Sequence, residues 1–187
     1  MASHLKDKKI AFLATDGFNE AELMEPRKAF EEAGAHTEVV SQNSGTIKAW
    51  NHSGWGESVK VDRTLDSANA DEYDALILPG GVINPDQLRM NPNAVKFVQR
   101  FVSSGKTIGA ICHGSWTLLE TGALKGKTVT SWPSLKTDLK NAGAHWVDKE
   151  VVTDGQFITS RNPDDIPAFN RVVIESVTNP TQQPARV

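Results

Sequence analysis

Cys112 is the only cysteine among 187 residues, and it stands in the segment Ala110-Ile-Cys-His-Gly114. A thiol is a useful nucleophile only as thiolate, and the unsatisfied N–H groups of a helix N-terminus favour that charge. The run Lys106-Thr-Ile-Gly-Ala-Ile111 predicts a strand, and Gly114 to Thr121 predicts a helix closed by Gly122. Cys112 therefore falls on a strand-to-helix junction, where small flanking residues, here Ala110 and Gly114, permit the strained elbow that hydrolases use. A lone cysteine after an apolar strand is also what a buried small hydrophobe looks like, so its surroundings must decide. One such surrounding is Pro79-Gly80-Gly81, a breaker that ends the apolar run Tyr73 to Leu78. Chemistry at a carbonyl needs donors for a developing oxyanion, and the backbone N–H groups of Gly81 and His113 are the candidate pair.

Holding these residues together requires a sheet. Lys9-Ile-Ala-Phe-Leu-Ala-Thr15 predicts a strand buried on both faces, followed by an Asp16-Gly17 turn. Leu23, Arg27, Phe30 and Ala33 then recur at helical spacing up to Gly34, with Pro26 expected to kink or restart that helix. Thr37 to Ser41 completes a β-α-β unit, and residues 45–62, with Trp50, His52 and Trp55, predict turns and short strands such as Ser58 to Val61. Tyr73 to Leu78 is a third buried strand, Asn93 to Ser104 a crossover helix, and Lys106 to Ile111 a fourth strand. Short strands near Thr128 to Ser131, Glu150 to Thr153 and Phe157 to Ser160 follow, with a helix near Leu135 to Ala142. A last helix opens at Pro163-Asp-Asp-Ile-Pro167 and runs to about Val177.

This alternation implies an α/β fold, doubly wound, with a mostly parallel sheet and helices on both faces. Ligands of such sheets bind beyond the carboxyl ends of the strands. The Asp16 to Glu22 turn, Pro79-Gly80-Gly81 and Cys112-His113-Gly114 all fall at those ends and are expected to converge. One domain is expected over residues 1–187, with its core at about 8–177 and a disordered tail at about 180–187.

Composition excludes several classes of function. With 23 acidic against 20 basic residues and a formal net charge of −3, the chain lacks the basic footprint of a nucleic-acid or anionic-membrane binder. One cysteine cannot form an internal disulfide, and the polar start Met1 to Lys9 lacks an export signal, so a cytoplasmic location is expected. No apolar run approaches the roughly 20 residues of a membrane-spanning helix. No histidine pair has metal-ligand spacing, so no metal is expected, and Gly80-Gly81 lacks the ending of a phosphate loop. His36 and His145 are expected on the surface, and Trp116 and Trp132 beside the site motifs.

Ala110-Ile-Cys-His-Gly114, Leu78-Pro-Gly-Gly81 and Gly17-Phe-Asn-Glu-Ala-Glu-Leu-Met-Glu-Pro26 together resemble the ThiJ/PfpI family, whose members share the flavodoxin-like, class I glutamine amidotransferase-like fold. The resemblance extends to Thr130-Ser-Trp-Pro133, Lys140-Asn-Ala-Gly143 and Thr159-Ser-Arg-Asn-Pro-Asp-Asp165, spanning about Lys8 to Val177. It implies that Cys112 is the nucleophile, His113 its base or proton shuttle, and Glu22 the carboxyl that hydrogen-bonds the sulfur, with a raised and coupled pKa. Asp86 lies where oligomeric members place a glutamate that reaches histidine in a neighbouring subunit, and Asn19 where some relatives are acidic. Read without the resemblance, Glu22 could be a solvated helix carboxylate and Asp86 a helix-start carboxylate. The resemblance further implies a cofactor-free stress-protection hydrolase of glyoxalase III or deglycase type, acting on methylglyoxal or on glyoxal adducts of proteins and nucleic acids, in a homodimer or larger assembly. A cysteine peptidase and a redox-sensing or chaperone-like protein are the alternatives it leaves.

Overall fold

A computed structural model describes residues 4–180; the expected disordered tail falls, apart from Pro180, outside the described residues. The polar start conceals Leu5, which is buried and donates its N–H to the Ala33 carbonyl. β1 (Lys9–Leu13) is apolar and buried along nearly its whole length. β2 (Phe18–Asn19) leads into α1 (Glu20–Glu32), whose first turn is capped by Asn19 Oδ1 accepting from the Glu22 N–H at 3.2 Å. α1 runs through Pro26 without restarting there, contrary to one outcome expected from sequence. Proline removes a single bond, the one to the Glu22 carbonyl, and the buried stripe of Leu23, Pro26 and Phe30 holds the helix on the sheet regardless.

β3 (His36–Ser41) follows, and β4 (Thr46–Asn51) and β5 (Gly54–Lys60) make an antiparallel hairpin longer than the short strand expected there. β6 (Arg63–Thr64) and β7 (Ala75–Leu78) precede α2 (Ile83–Arg89) and α3 (Pro92–Ser104). α3 has the ends its sequence announces: an Asn91 side-chain cap, Pro92 in the first turn and left-handed Gly105 after the last. β8 (Thr107–Ile111) runs into α4 (Ser115–Leu119) through a single turn of 3-10 helix, Cys112–Gly114. β9 (Thr128–Val129), α5 (Lys136–Asn141), β10 (His145–Trp146), β11 (Val151–Asp154), β12 (Phe157–Ser160) and α6 (Ile166–Thr178) complete the chain.

The main sheet has the order β11-β12-β8-β7-β1-β3-β6, parallel throughout except for the antiparallel edge strand β11. Alternation along the strands divides the core between its faces. Ala11, Leu13, Leu76, Leu78, Ile108 and Ala110 pack with Phe97, Val98 and Phe101 of α3. Ile10, Phe12, Ala75 and Ile77 pack with Leu23 and Phe30 of α1 and with Phe169 and Val173 of α6. The sheet is thus mixed α/β with helices on both faces, as its sequence implies.

β1 has β3 on one side and β7 on the other, so the winding reverses between β1 and β7, the switch point at whose carboxyl ends sheets of this kind bind ligands. Among the described residues no helix is long and apolar enough to cross a membrane.

Candidate active site

Cys112 follows β8 directly and has φ 60°, a left-handed conformation that costs a non-glycine residue about 1–2 kcal/mol. The elbow survives because it is braced. The Trp132 N–H donates to the Cys112 carbonyl at 3.3 Å, and Gly114 lies so close to β7 that a side chain there would collide with the Leu78 carbonyl oxygen. The sulfur-bearing residue is buried, 8% exposed, and packs with Ile111 and Ile166.

The register of β7 on β8 pairs Leu78 with Ala110, which carries the following Pro79-Gly80-Gly81 turn alongside Cys112 and His113. Gly80 fills the gap among three other site residues: a Cβ there would stand 2.5 Å from Glu22 Oε2, 2.8 Å from Cys112 Cβ and 3.0 Å from the His113 nitrogen. The Gly80 N–H donates to Glu22 Oε2 at 2.8 Å. Backbone N–H groups of His113 and Gly81, the pair expected from sequence as oxyanion donors, are directed at the Cys112 sulfur.

Glu22 is fully buried in the first turn of α1. Burial pushes its pKa up to about 8, against smaller opposing effects of the Gly80 N–H and of Cys112. The carboxyl faces the sulfur more loosely than a formed hydrogen bond, since Oε1 has no hydrogen-bond partner. Such contacts tighten when a reacting group occupies the site.

The thiol departs from its sequence-based expectation. Burial first, and then the Glu22 charge, push Cys112 up rather than down; the His113 and Gly81 amides only partly offset this. α4 has five residues, too few to supply the dipole that would lower the thiol. While Glu22 holds its proton its charge contribution vanishes, and its O–H becomes a donor to the sulfur. The two groups therefore titrate as a pair.

His113 is 8% exposed and lies with Nδ1 3.3 Å from Cys112 Sγ and Nε2 3.3 Å from Ser134 Oγ. Burial lowers its pKa, so the ring is neutral at neutral pH and able to accept a proton. Trp116 meets it edge to face at 5.0 Å between centroids, and Trp132 is stacked at 6.4 Å. Both tryptophans thus lie where the site motifs suggested.

Asp86 stands apart. It is exposed on α2, and its carboxylate has no hydrogen bond or ion pair among the described residues; within the chain the histidine is met by Ser134 instead. His36 and His145 are exposed, and His52 lines a cavity of about 190 Å³ with Asn19, Trp50 and Pro163. Two larger clefts, about 530 Å³ beside Asn69, Lys96 and Arg100 and about 660 Å³ beside Asn170 and Ile174, hold none of the site residues. Among the described residues no group of three or more His, Cys, Asp or Glu could hold a metal ion.

Two site residues escape sequence reasoning. Asn84, fully buried, accepts the Thr15 N–H at 2.8 Å and donates to the Pro79 and Gly80 carbonyls, each at 3.0 Å, so it ties the glycine turn to the end of β1. Its signal was a lone amide inside Gly81-Val-Ile-Asn-Pro85, with nothing to say which backbone it would meet. Ser134 carried no signal beyond a hydroxyl after Trp132-Pro133.

Residues 8–176 match the DJ-1/PfpI family. The chain belongs to that family. It is 46% identical over 166 residues to General stress protein 18 of Bacillus subtilis (strain 168), covering 88% of this chain and 94% of that protein. It is 43% identical over 167 residues to Protein/nucleic acid deglycase 2 of Escherichia coli (strain K12), covering 88% of this chain and 94% of that one. Drosophila melanogaster DJ-1beta superposes with a TM-score of 0.83 at 27% identity, over 95% of this chain and 91% of the other. In this DJ-1/PfpI protein Glu22, the glycine turn and Cys112-His113 converge at the sheet's switch point.

Proposed function

We propose that this DJ-1/PfpI protein is a cysteine-dependent hydrolase that protects against reactive carbonyls, working on methylglyoxal or on the early glyoxal adducts of proteins and nucleic acids. The observation that carries the reading is the placing of the Cys112 sulfur between a neutral imidazole 3.3 Å away and a buried carboxyl whose pKa is pushed up to about 8. The deglycase name of the Escherichia coli relative supports the substrate class, and the stress-protein name of the Bacillus relative supports the setting.

Cys112 passes its proton to His113 Nδ1 and attacks the aldehyde or hemiaminal carbon, forming a C–S bond. From a hemiaminal the C–N bond breaks, and the amine leaves with the proton that His113 returns. The hemithioacetal carbon then loses a proton that is delivered to the neighbouring carbonyl carbon, so one carbon is oxidised as the other is reduced and no external oxidant is consumed. His113 moves that proton, and the Gly81 and His113 amides hold the developing oxyanion. Water cleaves the resulting thioester, releasing a 2-hydroxy acid and the thiol.

In this reading the protein works in the cytoplasm as a homo-oligomer. Val82 and Ile83, 55% and 38% exposed, give an apolar rim beside the exposed Asp86 that a second subunit could cover. An Asp86 that reached His113 across such an interface would favour peptidase activity. The test is consumption of methylglyoxal, and release of amine from its adduct with a blocked lysine, by metal-free protein and its Cys112→Ser and Glu22→Gln variants. Turnover that depends on both residues is expected; consumption unchanged in Cys112→Ser overturns the enzymatic reading, leaving a thiol that responds to oxidants without turnover.

A further inference from the structure

A neutral imidazole carries one N–H, and which nitrogen holds it decides whether His113 can act on Cys112 at all. The contact of 3.3 Å between Nδ1 and the sulfur is productive only if Nδ1 presents its lone pair, which requires the hydrogen on Nε2. The Gly81 and His113 amides face the sulfur as donors, and the Nδ1 lone pair 3.3 Å away is the acceptor through which the thiol hydrogen can pass to the histidine. Nε2 in turn meets one polar side chain among the described residues, the hydroxyl of Ser134 at 3.3 Å.

We propose that Ser134 is the positioning residue that keeps His113 in the tautomer able to take the Cys112 proton, so that the chain supplies the orienting group itself. Ser134 is delivered to this place by local structure. The Trp132 N–H is bonded to the Cys112 carbonyl, Pro133 starts a single 3-10 turn, and Leu135, fully buried, anchors its end. The Trp116 and Trp132 rings hold the imidazole plane from two sides, leaving the choice of tautomer to the hydroxyl. The hydroxyl oxygen accepts from Nε2–H before proton transfer and accepts from the same N–H of the imidazolium afterwards. No group has to reorient during the step, which is the economy that an orienting residue contributes to a cysteine-histidine pair.

The inference rests on Cys112 as nucleophile and His113 as its base, and its test does not need the substrate. Nitrogen-15 NMR of the imidazole of His113 in the full chain reports the tautomer directly, and the rate of Cys112 alkylation by iodoacetamide at neutral pH reports the consequence. The wild type is expected to carry its hydrogen on Nε2. Ser134→Ala, an exposed position, is expected to give a mixture of tautomers and to slow alkylation by about threefold to tenfold, with Ser134→Thr restoring both. A wild-type ring protonated on Nδ1, or an alanine variant that changes neither readout, overturns the proposal. So does a loss of the tautomer in Asp86→Asn in place of Ser134→Ala, which would give the orienting role to a neighbouring subunit. Absence of methylglyoxal turnover alongside the expected NMR and alkylation results would remove the proposed substrate and leave the role of Ser134 standing.

Discussion

Glu22 and Cys112 face each other across Gly80, with the Glu22 carboxyl bonded to the Gly80 N–H at 2.8 Å and space between the two side chains too small for a methyl group. One residue's lack of a side chain thus lets a buried acid and a buried thiol lie side by side. The pair also explains why a thiol pushed up by burial remains usable. The proton that keeps Glu22 neutral removes the charge that most specifically opposes thiolate, and the same carboxyl then donates to the sulfur.

Gly80→Ala is expected to separate the pair. A Cβ 2.5 Å from Glu22 Oε2 and 2.8 Å from Cys112 Cβ must displace one of them. Overpacking of this kind costs about 1–3 kcal/mol of stability. Because the displaced side chains are the proposed nucleophile and its partner acid, alkylation of Cys112 should slow by roughly tenfold or more, a larger loss than the stability change would cause. Urea unfolding and iodoacetamide kinetics measured on the same sample check this; alkylation at the wild-type rate would show that the two side chains are not coupled through this gap.

Glu22 makes stability depend on pH in a direction opposite to an ordinary salt-bridged acid. Its pKa is 4.5 when unperturbed and about 8 in the folded chain. Below the lower value the carboxyl is neutral in both states and exacts nothing. Between the two, the unfolded chain releases a proton that the folded chain keeps, so stability falls as pH rises and levels off above the folded value. The total loss is on the order of 3–5 kcal/mol before relaxation of the site is counted. Glu22→Gln, neutral at every pH, should flatten this slope and be more stable than wild type in mild alkali, while turnover falls for want of the proton. Urea midpoints across that pH range decide it, and parallel profiles for the two proteins would show that Glu22 is not held neutral by folding.

His113 sets the acid side of the pH profile. A base acts only when unprotonated, and burial lowers its pKa below the ordinary 6.5. The acid limb of Cys112 alkylation should therefore lie below that value. His113→Gln should remove this limb and slow alkylation by about a hundredfold at neutral pH. A wild-type limb centred above 6.5 would mean that a solvated histidine, or another group, controls the thiol.

The layers of the fold were legible in the sequence because the central strands are short and apolar, as in Ala75 to Leu78, which Pro79-Gly80 closes. The elbow was legible because Cys112 lies between a strand and a small residue, and convergence at the strand ends follows from parallel topology alone. Glu22 was not legible from its own surroundings, since an acid in the first turn of a helix is ordinarily solvated; only the motif around it pointed inward. The direction of the thiol shift was missed for a related reason. Junction position suggests stabilising amides, but the burial of the thiol and the brevity of α4 are set by packing. Asn84 and Ser134 act through bonds to backbone and ring atoms brought near by the fold, and residue type alone carries no trace of such partners.

The backbone of Cys112 gives a test of strain that is independent of its chemistry. At φ 60° an L residue with a Cβ is disfavoured, whereas glycine adopts this conformation freely. In most folded positions glycine is the less stable choice, by about 0.5–1 kcal/mol relative to alanine, because it loses more chain entropy. At this elbow the order should invert. Cys112→Ala and Cys112→Gly both lose the thiol and should both lose alkylation, so any difference between them reports backbone alone. Glycine should be the more stable of the two by on the order of 1 kcal/mol, measured as a shift of the urea midpoint at constant slope. If alanine is instead the more stable variant, the positive φ is not strained in solution, and the sulfur is presented by packing against the glycine turn rather than by an elbow held under tension.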